Sequence, residues 1–439
     1  MYVINIPMLL LISLITLLIL LLFIKGASKE EKFIYSFIAL GYYAYSGFGI
    51  SYESVNNMYL LQYSIFLFCM LAPIKLINGK RIIKIGRIRL CGGPIEPVGS
   101  YIDSKLESDQ WIYTIGLVVF LLSYFVYLLT PNFRVADLWN PPVSSVIGIH
   151  AKRYAEKNVI IKLADTLNIM TMPFFFVKLN SFAEKGKWVK YFTAFFIWFY
   201  LSYLQYCYLS RYQLMVFMMF FLFSIGIVKY GEIKLDSKIV ILIIVSIMMA
   251  VPFLASFTFQ RMGLEASSSS FGESILSLIE GETYYPIYYD RILDSGTGLV
   301  SPLMFILWII CLPIPSIIMP GKPTIDPSFE FTKMLVGGNI SRDAANYYNS
   351  LPSLLGESFL IFGESFYFIE AIVLGIVIGV FFRYFMQSKK LSSLTLYMAI
   401  MLVTLGRGGA TSYMSVIING SIMLILWIAF ISMMERRRY

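Results

Sequence analysis

Residues 4–24 read INIPMLLLISLITLLILLLFI, an uncharged apolar stretch that Lys25 follows at once. An apolar helix of about 20 residues is long enough to cross the hydrocarbon core of a bilayer. The stretch therefore predicts a membrane-spanning helix. It has neither the basic start nor the small-residue cleavage site of a secretory signal, so we expect it to be a retained span.

The rest of the chain repeats this pattern. Hydrophobic residues form 58% of the 439 positions and charged residues 14%, whereas soluble domains have about 45–50% and about 25%. The composition predicts an all-α polytopic membrane protein in which residues 1–439 form a single integral membrane domain. The apolar blocks are 4–24, 33–50, 58–78, 111–130, 164–182, 190–209, 212–228, 238–256, 299–319, 358–384, 391–406 and 410–431.

Lysine and arginine predict the orientation, because short cytoplasmic loops carry most of these residues. With Lys25 in the cytoplasm, alternation of the spans makes the basic loops after residues 78, 184 and 228 cytoplasmic as well. If block 299–319 crossed the membrane, Arg383 and Arg436–Arg438 would lie outside. We therefore expect this proline-interrupted block to stay on the outer side as a re-entrant or interfacial helix. The prediction is about eleven transmembrane helices (10–12), with the N-terminus outside and the C-terminus inside.

The formal net charge of +9 does not require a nucleic-acid partner. Most basic residues fall in short loops between apolar blocks, where they set the topology, so we expect no nucleic acid among the partners. The four cysteines have no metal-ligand spacing, and no acidic metal cluster stands out. We therefore expect neither a metal nor another cofactor. The cysteines are Cys69, Cys91, Cys207 and Cys311.

Two arginines lie where two apolar blocks nearly touch. Arg211 is in LQYCYLSRYQLMVF (204–217) and Arg407 is in MLVTLGRGGATSYM (401–414). A single such arginine is usually a cation that reaches to the headgroups. Two on the outer side favour a charged cavity or a bound partner, because charge at membrane depth is costly. A guanidinium also binds two phosphate oxygens at once, and the small residues of GRGG allow a backbone turn close to a neighbour or a ligand.

Two GES triplets lie in LPSLLGESFLIFGESF, residues 351–366. They place Glu357 and Glu364 seven residues apart, on one face of a helix if that helix continues. Either the acids stabilise the N-terminal end of the next helix or they take part in chemistry. The glycines also allow helices to pack closely.

Together these features resemble the Wzy class of bacterial O-antigen polymerases, which are oligosaccharide repeat-unit polymerases, over most of the chain. The resemblance rests on about a dozen apolar spans, the arginine of YLSRYQL after a tyrosine-rich span, PSLLGESFLIFG after a long outer loop, and the GRGG turn before the last span. The class is similar to the GT-C membrane glycosyltransferases. The resemblance therefore implies a GT-C-like fold with one large periplasmic loop.

The resemblance also implies an activity and a location. The protein would be a metal-independent, multi-pass glycosyltransferase of the bacterial inner (cytoplasmic) membrane, with its active site facing the periplasm. It would join undecaprenyl-diphosphate-linked oligosaccharide repeat units, one donor and one acceptor, into O-antigen or a similar surface polysaccharide. The implied partners are these two lipid-linked substrates and the bilayer, together with a chain-length regulator and a flippase.

Catalysis in such an enzyme mainly requires positioning and cationic stabilisation, because the diphosphate is already a good leaving group. The predicted catalytic residues are Glu357, Arg211 and Arg407. A carboxylate would take the proton of the acceptor hydroxyl, and Glu357, Glu282 and Asp290 are unranked candidates for that role.

Two outer segments, 131–163 and 257–357, are predicted periplasmic loops, and loops of this length are usually functional. We expect the second loop to cap a lipid-facing cavity; the alternative is a structural plug. Its arginines would bind diphosphate or acidic sugars, and its tyrosines would stack on sugar rings. The predicted substrate-binding residues are Arg261, Arg291, Arg342, Tyr284, Tyr285, Tyr288 and Tyr289.

Two other activities fit part of the pattern. A flippase or other transporter of lipid-linked oligosaccharides would also need cationic cavities and many spans, although transporters often contain paired broken helices and the sequence indicates one broken segment, 299–319. An O-antigen ligase would share much of the chemistry. Its family features a histidine in the large outer loop, whereas the single histidine here, His150, lies in 131–163.

Overall fold

The computed structural model describes the chain in segments. The described residues are 5–51, 58–78, 83–85, 88–90, 96–107, 110–127, 159–205, 216–224, 289–296, 300–312, 314, 319–337, 350–385 and 388–436. Apart from turns and connections, these segments are helical except for one antiparallel hairpin, in which β1 (Ile83–Ile85) pairs with β2 (Ile88–Leu90).

Twelve helices of ten residues or more lie within these segments. They are α1 (Ile6–Ile24), α2 (Lys29–Tyr42), α3 (Met58–Asn78), α4 (Glu96–Glu107), α5 (Gln110–Tyr127), α6 (Val159–Glu184), α7 (Trp188–Gln205), α8 (Pro302–Cys311), α9 (Pro327–Val336), α10 (Ser353–Phe366), α11 (Phe368–Phe385) and α12 (Ser392–Arg436). Shorter helical pieces are the π-helical turns Tyr43–Gly47 and Ile292–Gly296, the turns Phe48–Ile50, Tyr289–Arg291 and Lys389–Leu391, and residues 216–224.

The first helix, α1, shows how an almost uniformly apolar segment lies in the bundle. The Asn5 side chain caps its N-terminus by accepting the backbone N–H of Met8 at 3.0 Å. Ile12 is fully buried, whereas Leu10 is 64% exposed. Leu14, Leu17, Leu18, Leu21 and Leu22 are exposed as well. A continuous exposed apolar face of this kind fits contact with lipid.

Four helical stretches in the described part of the chain are long and apolar enough to cross a membrane. The prediction of a helical, multi-pass membrane protein is confirmed at this level. The count of eleven spans stays a prediction, and block 238–256 lies outside the described residues. The four stretches are Ile6–Ile24, Met58–Asn78, Phe368–Phe385 and Lys389–Thr411, and the shorter apolar helices are Gln110–Phe125 and Pro302–Cys311.

Glycines allow two pairs of these helices to approach closely. A β-carbon on Gly375 of α11 would collide with the Met70 carbonyl oxygen of α3. One on Gly41 of α2 would lie 2.5 Å from the Val403 carbonyl oxygen of α12. Since lipid tails are as apolar as leucine, close backbone packing rather than the hydrophobic effect holds helices together inside a membrane.

One end of the bundle, which we call the basic end, gathers cationic side chains. Lys75 in α3 donates to the Leu22 carbonyl oxygen of α1 at 2.8 Å. Arg383 in α11 donates to the Ile77 carbonyl oxygen of α3, and Lys390 forms an ion pair at 2.7 Å with the last residue of α6. Cations are favoured at helix C-termini, where they meet the unpaired carbonyl groups. Several loops that the sequence places in the cytoplasm therefore meet at one end.

At the other end, which we call the loop end, the Asn5 N–H at the start of α1 donates to the Ser51 carbonyl oxygen at 2.8 Å. The Tyr59 hydroxyl at the start of α3 donates to Asp290 at 2.5 Å. The last helix, α12, turns here: its helical dihedral angles are interrupted at Gly409, and Tyr413 Oη donates to the Met398 carbonyl oxygen at 2.8 Å. Residues 15 apart would be about 22 Å apart in a straight helix. The hydrogen bond therefore requires the second half of α12 to fold back beside the first. The two halves correspond to the apolar blocks 391–406 and 410–431, which lie on either side of Arg407.

The apolar helix α8 lies within the predicted block 299–319. It has ten residues, which at 1.5 Å per residue is about 15 Å, half the thickness of a hydrocarbon core. The chain before and after it is at the loop end, because Tyr289 Oη lies 2.8 Å from Ser353 Oγ. Phe305 of α8 packs on Phe362 of α10 with ring centroids 5.7 Å apart. That block 299–319 is a re-entrant or interfacial helix stays a prediction.

Candidate functional site

Two helices at the loop end are broken at a glycine. The break in α10 is at Gly363 (φ 70°, ψ −177°) and the break in α12 is at Gly409 (φ 73°, ψ −175°). Glycine adopts positive φ without the steric cost that other residues incur. A break leaves the first backbone N–H groups of the following helix without partners in the preceding turn. Those groups need acceptors from elsewhere in the fold.

Glu357 supplies acceptors for the break in α12. Its side chain is fully buried. Its Oε1 accepts the backbone N–H of Thr411 at 3.2 Å, and its Oε2 accepts the Thr411 hydroxyl at 3.3 Å. Hydrogen-bond acceptors are favoured at this position because the N-terminus of a helix presents N–H groups and a partial positive charge. The GES segment and the GRGG segment, which are separate in the sequence, are therefore joined by a partly buried contact.

A second buried carboxylate lies at the same break. Glu370 of α11 is fully buried, and its Oε2 accepts the Ser358 hydroxyl at 2.7 Å. The backbone N–H of Ala410 interacts with the same carboxylate. Glu370 is not among the site residues that the sequence predicts. Its signal was an acid inside the apolar block 358–384, six residues after Glu364, a position where ionisable residues are costly and are usually paired or functional.

Arg407 lies in the last turn of α12 before the break. Its side chain is partly buried, and it makes contacts within the fold. A cation is favoured there because the C-terminus of a helix segment carries a partial negative charge. The Glu357 contact with Thr411 fixes the backbone just after the break, so it also fixes where the Arg407 turn sits.

The glycines around Arg407 make this arrangement possible. A β-carbon on Gly409 would overlap the Glu357 carboxylate, and one on Gly406 would collide with the Gly41 carbonyl group of α2. The prediction that the small residues of GRGG let a backbone turn approach a neighbour is confirmed.

Tyr289 and Arg291 are the two described members of the predicted loop site. Arg291 is exposed. Tyr289 is fully buried, and its ring meets Tyr59 and Phe359 edge-on, with centroids 5.2 and 5.4 Å away. Burial raises the pKa of the Tyr289 phenol above its usual range. A sugar ring would have to displace these neighbours to stack on Tyr289.

Glu364 does not share a face with Glu357. The two would align only in a continuous helix, and the break at Gly363 lies between them. Glu364 is instead exposed and accepts the Gln62 amide N–H at 3.3 Å. The predicted alignment of Glu357 and Glu364 required a continuous helix. That requirement is not met, because a single residue at positive φ redirects the chain.

The remaining predicted site residues lie outside the described residues. The roles assigned to them stay predictions. They are Arg211, Arg261, Arg342, Tyr284, Tyr285, Tyr288 and Glu282. Among the residues that are described, no three or more histidine, cysteine, aspartate or glutamate side chains come together as they would around a metal ion.

Comparisons with known proteins identify no relative of this chain. No protein-family model, no curated protein and no solved structure matches it. Its function is therefore inferred from the residues that meet at the loop end: the buried carboxylates of Glu357 and Glu370, the Arg407 turn, and the exposed acids Asp290 and Glu364.

Proposed function

We propose that the protein is a polymerase that joins undecaprenyl-diphosphate-linked oligosaccharide repeat units into O-antigen or a similar surface polysaccharide. One observation supports the proposal above all others. The two short motifs behind the resemblance to Wzy polymerases, PSLLGESFLIFG and GRGG, meet through Glu357 and Thr411, which are 54 residues apart in the chain. Motifs that build one site must meet in this way.

In this proposal Arg407 binds the diphosphate of the donor. Its guanidinium can donate two parallel hydrogen bonds to phosphate oxygens. The diphosphate gains negative charge as it leaves, so a cation held in place beforehand stabilises the transition state more than the ground state. Glu357 and Glu370 act as positioning residues, because they hold the backbone of the turn that follows Arg407.

The proposed reaction forms a bond between an acceptor hydroxyl oxygen and the anomeric carbon of the donor. The bond between that carbon and the diphosphate oxygen breaks, and the diphosphate leaves with the electron pair. A carboxylate takes the hydroxyl proton. Glu357 is fully buried and engaged with Thr411, whereas Asp290 is exposed at the same end. Among the described candidates, Asp290 is therefore better placed to be the base.

The two ends of the bundle suggest how the protein lies in the membrane. The basic end would face the cytoplasm, since cytoplasmic loops are rich in lysine and arginine. The loop end, with Arg407, would then face the periplasm, where lipid-linked repeat units are joined. The exposed apolar face of α1 would contact the bilayer, and the two lipid-linked substrates would reach the loop end from the outer leaflet.

Deletion of the gene in its host, followed by electrophoresis of the surface polysaccharide, tests the proposal. A polymerase mutant is expected to make single-repeat product and no ladder of long chains, and the wild-type gene should restore the ladder. A gene that encodes Glu357→Gln is the matched comparison for the wild-type gene, because it replaces one carboxylate oxygen with an amide nitrogen. Complete loss of the product would contradict the proposal and point to a flippase or a ligase.

A transporter of lipid-linked oligosaccharides is the second candidate, and one observation favours it. Transporters often bind substrates at broken helices, and two breaks with nearly equal backbone angles occur here, at Gly363 and Gly409. Against this, both breaks lie at the loop end rather than midway along the bundle, and protein carboxylates already occupy the N–H groups after Gly409.

A further inference from the structure

Two exposed carboxylates at the loop end are each held by a buried donor of the same helix. Asp290 accepts the Tyr59 hydroxyl at 2.5 Å, and Glu364 accepts the Gln62 amide N–H at 3.3 Å. Tyr59 is 3% exposed and Gln62 is 4% exposed. They are three residues apart in α3, so they lie on one face of that helix. Both carboxylates are thus anchored to the same face of α3.

Gln62 also carries an unsatisfied acceptor. Its Oε1 is buried and has no hydrogen-bond partner among the described residues. A buried polar atom without a partner costs free energy, and native proteins contain few of them. Because the other atom of the same amide donates to Glu364, this oxygen belongs to the same polar cluster. A ligand that donates a hydrogen bond to it would satisfy this oxygen.

The cluster is rich in acceptors and negatively charged. Ionised carboxylates only accept hydrogen bonds, and an amide oxygen also accepts, whereas sugar hydroxyl groups can donate to all of them. A phosphate would be repelled by the two carboxylates. The two protein donors that hold these carboxylates, from Tyr59 and Gln62, already point at them, and Arg291, next to Asp290 in the chain, makes contacts of its own. A neutral group with several O–H donors fits the remaining acceptors.

We propose that Asp290, Glu364 and the Gln62 amide oxygen form a subsite for neighbouring hydroxyl groups of a sugar. The assignment of this sugar to the acceptor repeat unit rests on the proposed polymerase function. The proposal that the ligand is a sugar does not depend on that function. The subsite is linked to the Arg407 turn by packing. Phe359 contacts Tyr59, with ring centroids 6.0 Å apart, and it follows Glu357 by two residues.

The two proposed subsites therefore have opposite charge. Arg407 would receive the diphosphate, and the carboxylate cluster would receive hydroxyl groups. Such a division keeps the acidic groups that bind the acceptor away from the leaving group, which they would otherwise repel. It would also let one end of the bundle bind a charged lipid headgroup and a polyhydroxylated chain in a fixed relative orientation.

Direct binding tests the inference without requiring polymerase activity. The purified full-length protein in lipid nanodiscs is titrated with phosphate-free oligosaccharide repeat units, released by mild acid from the lipid-linked pool of the host. Asp290→Asn, Glu364→Gln and Gln62→Leu are each expected to raise the Kd at least tenfold. Asp294→Asn and Glu330→Gln remove the same charge from nearby segments and are expected to change the Kd less than twofold. Thermal unfolding confirms that each variant is folded.

The outcomes separate this inference from the proposed function. Binding by the wild-type protein but not by the three variants would support the subsite. If polymer still forms in cells that lack the gene, the polymerase proposal fails while the subsite stands. If the variants and their controls bind equally, or if the wild-type protein binds no oligosaccharide, the subsite is overturned. It is also overturned if Ca²⁺ or Mg²⁺ binds in an Asp290-dependent manner and the oligosaccharide does not.

Discussion

Gly409 and Glu357 are in such close contact that a β-carbon on residue 409 would overlap the Glu357 carboxylate. The positive φ at Gly409 and the buried carboxylate of Glu357 depend on each other. The glycine opens the helix and provides space, and the carboxylate accepts the N–H of Thr411 that the break has freed. The turn after Arg407 depends on both residues.

Gly409→Ala is expected to destabilise the protein by more than the about 1–3 kcal/mol that a non-glycine residue costs at a strained positive φ, because the overlap with Glu357 adds to it. Thermal unfolding in detergent measures the effect. Gly337→Ala is the matched control: Gly337 also has positive φ, 82°, but a β-carbon there would meet nothing within 4 Å. Equal shifts in Tm for both variants would show that the Glu357 contact contributes nothing.

Glu357→Ala is expected to lower the free energy of unfolding by about 1–3 kcal/mol, because the partly buried Thr411 N–H is left without an acceptor. Glu357→Gln retains an acceptor oxygen, so it should keep the fold and a measurable part of the polymer ladder. Glu330→Ala in α9 serves as the control for loss of an acid. A folded Glu357→Gln protein without any polymerase activity would instead identify Glu357 as the base.

Arg407→Ala is expected to leave folded protein in the membrane and to abolish long chains. Loss of hydrogen bonds to a charged group costs about 1.5–3 kcal/mol, which corresponds to a roughly tenfold to hundredfold slower reaction. Arg407→Lys should rescue only in part, since lysine keeps the charge but not the two-pronged geometry. The control is Lys333→Ala, which removes an exposed cation of α9. Normal ladders from the Arg407→Ala variant would mean that Arg407 is only a structural cation.

Reporter fusions after Ser295 and after Lys333 are both expected to indicate the outer side. The reason is that α8 lies between them, is only ten residues long and begins and ends near the loop end. A fusion after Gly186, next to Lys185 and Lys187, should indicate the cytoplasm and calibrates the assay. A cytoplasmic result at Lys333 would mean that α8 crosses the membrane and that the count of eleven spans is wrong.

The sequence by itself determined the features that depend on local composition. The uncharged run after Asn5 makes α1, because apolar length alone decides whether a helix fits a bilayer. Ser28 and Glu31 form a capping box at the start of α2, a motif whose partners are three residues apart. The turn at GRGG follows from its small residues. Each of these signals lies within a few positions of the structure that it predicts.

The tertiary structure decided which polar groups meet. Nothing in the local pattern pairs Glu357 with Thr411, brings Glu370 to the same break, or sets Glu364 on a different face from Glu357. These contacts join segments that are far apart in the chain, and they depend on where Gly363 and Gly409 redirect their helices. A carboxylate buried in an apolar bundle is retained only where the assembled fold provides donors for it, and hydropathy along a single chain does not contain that information.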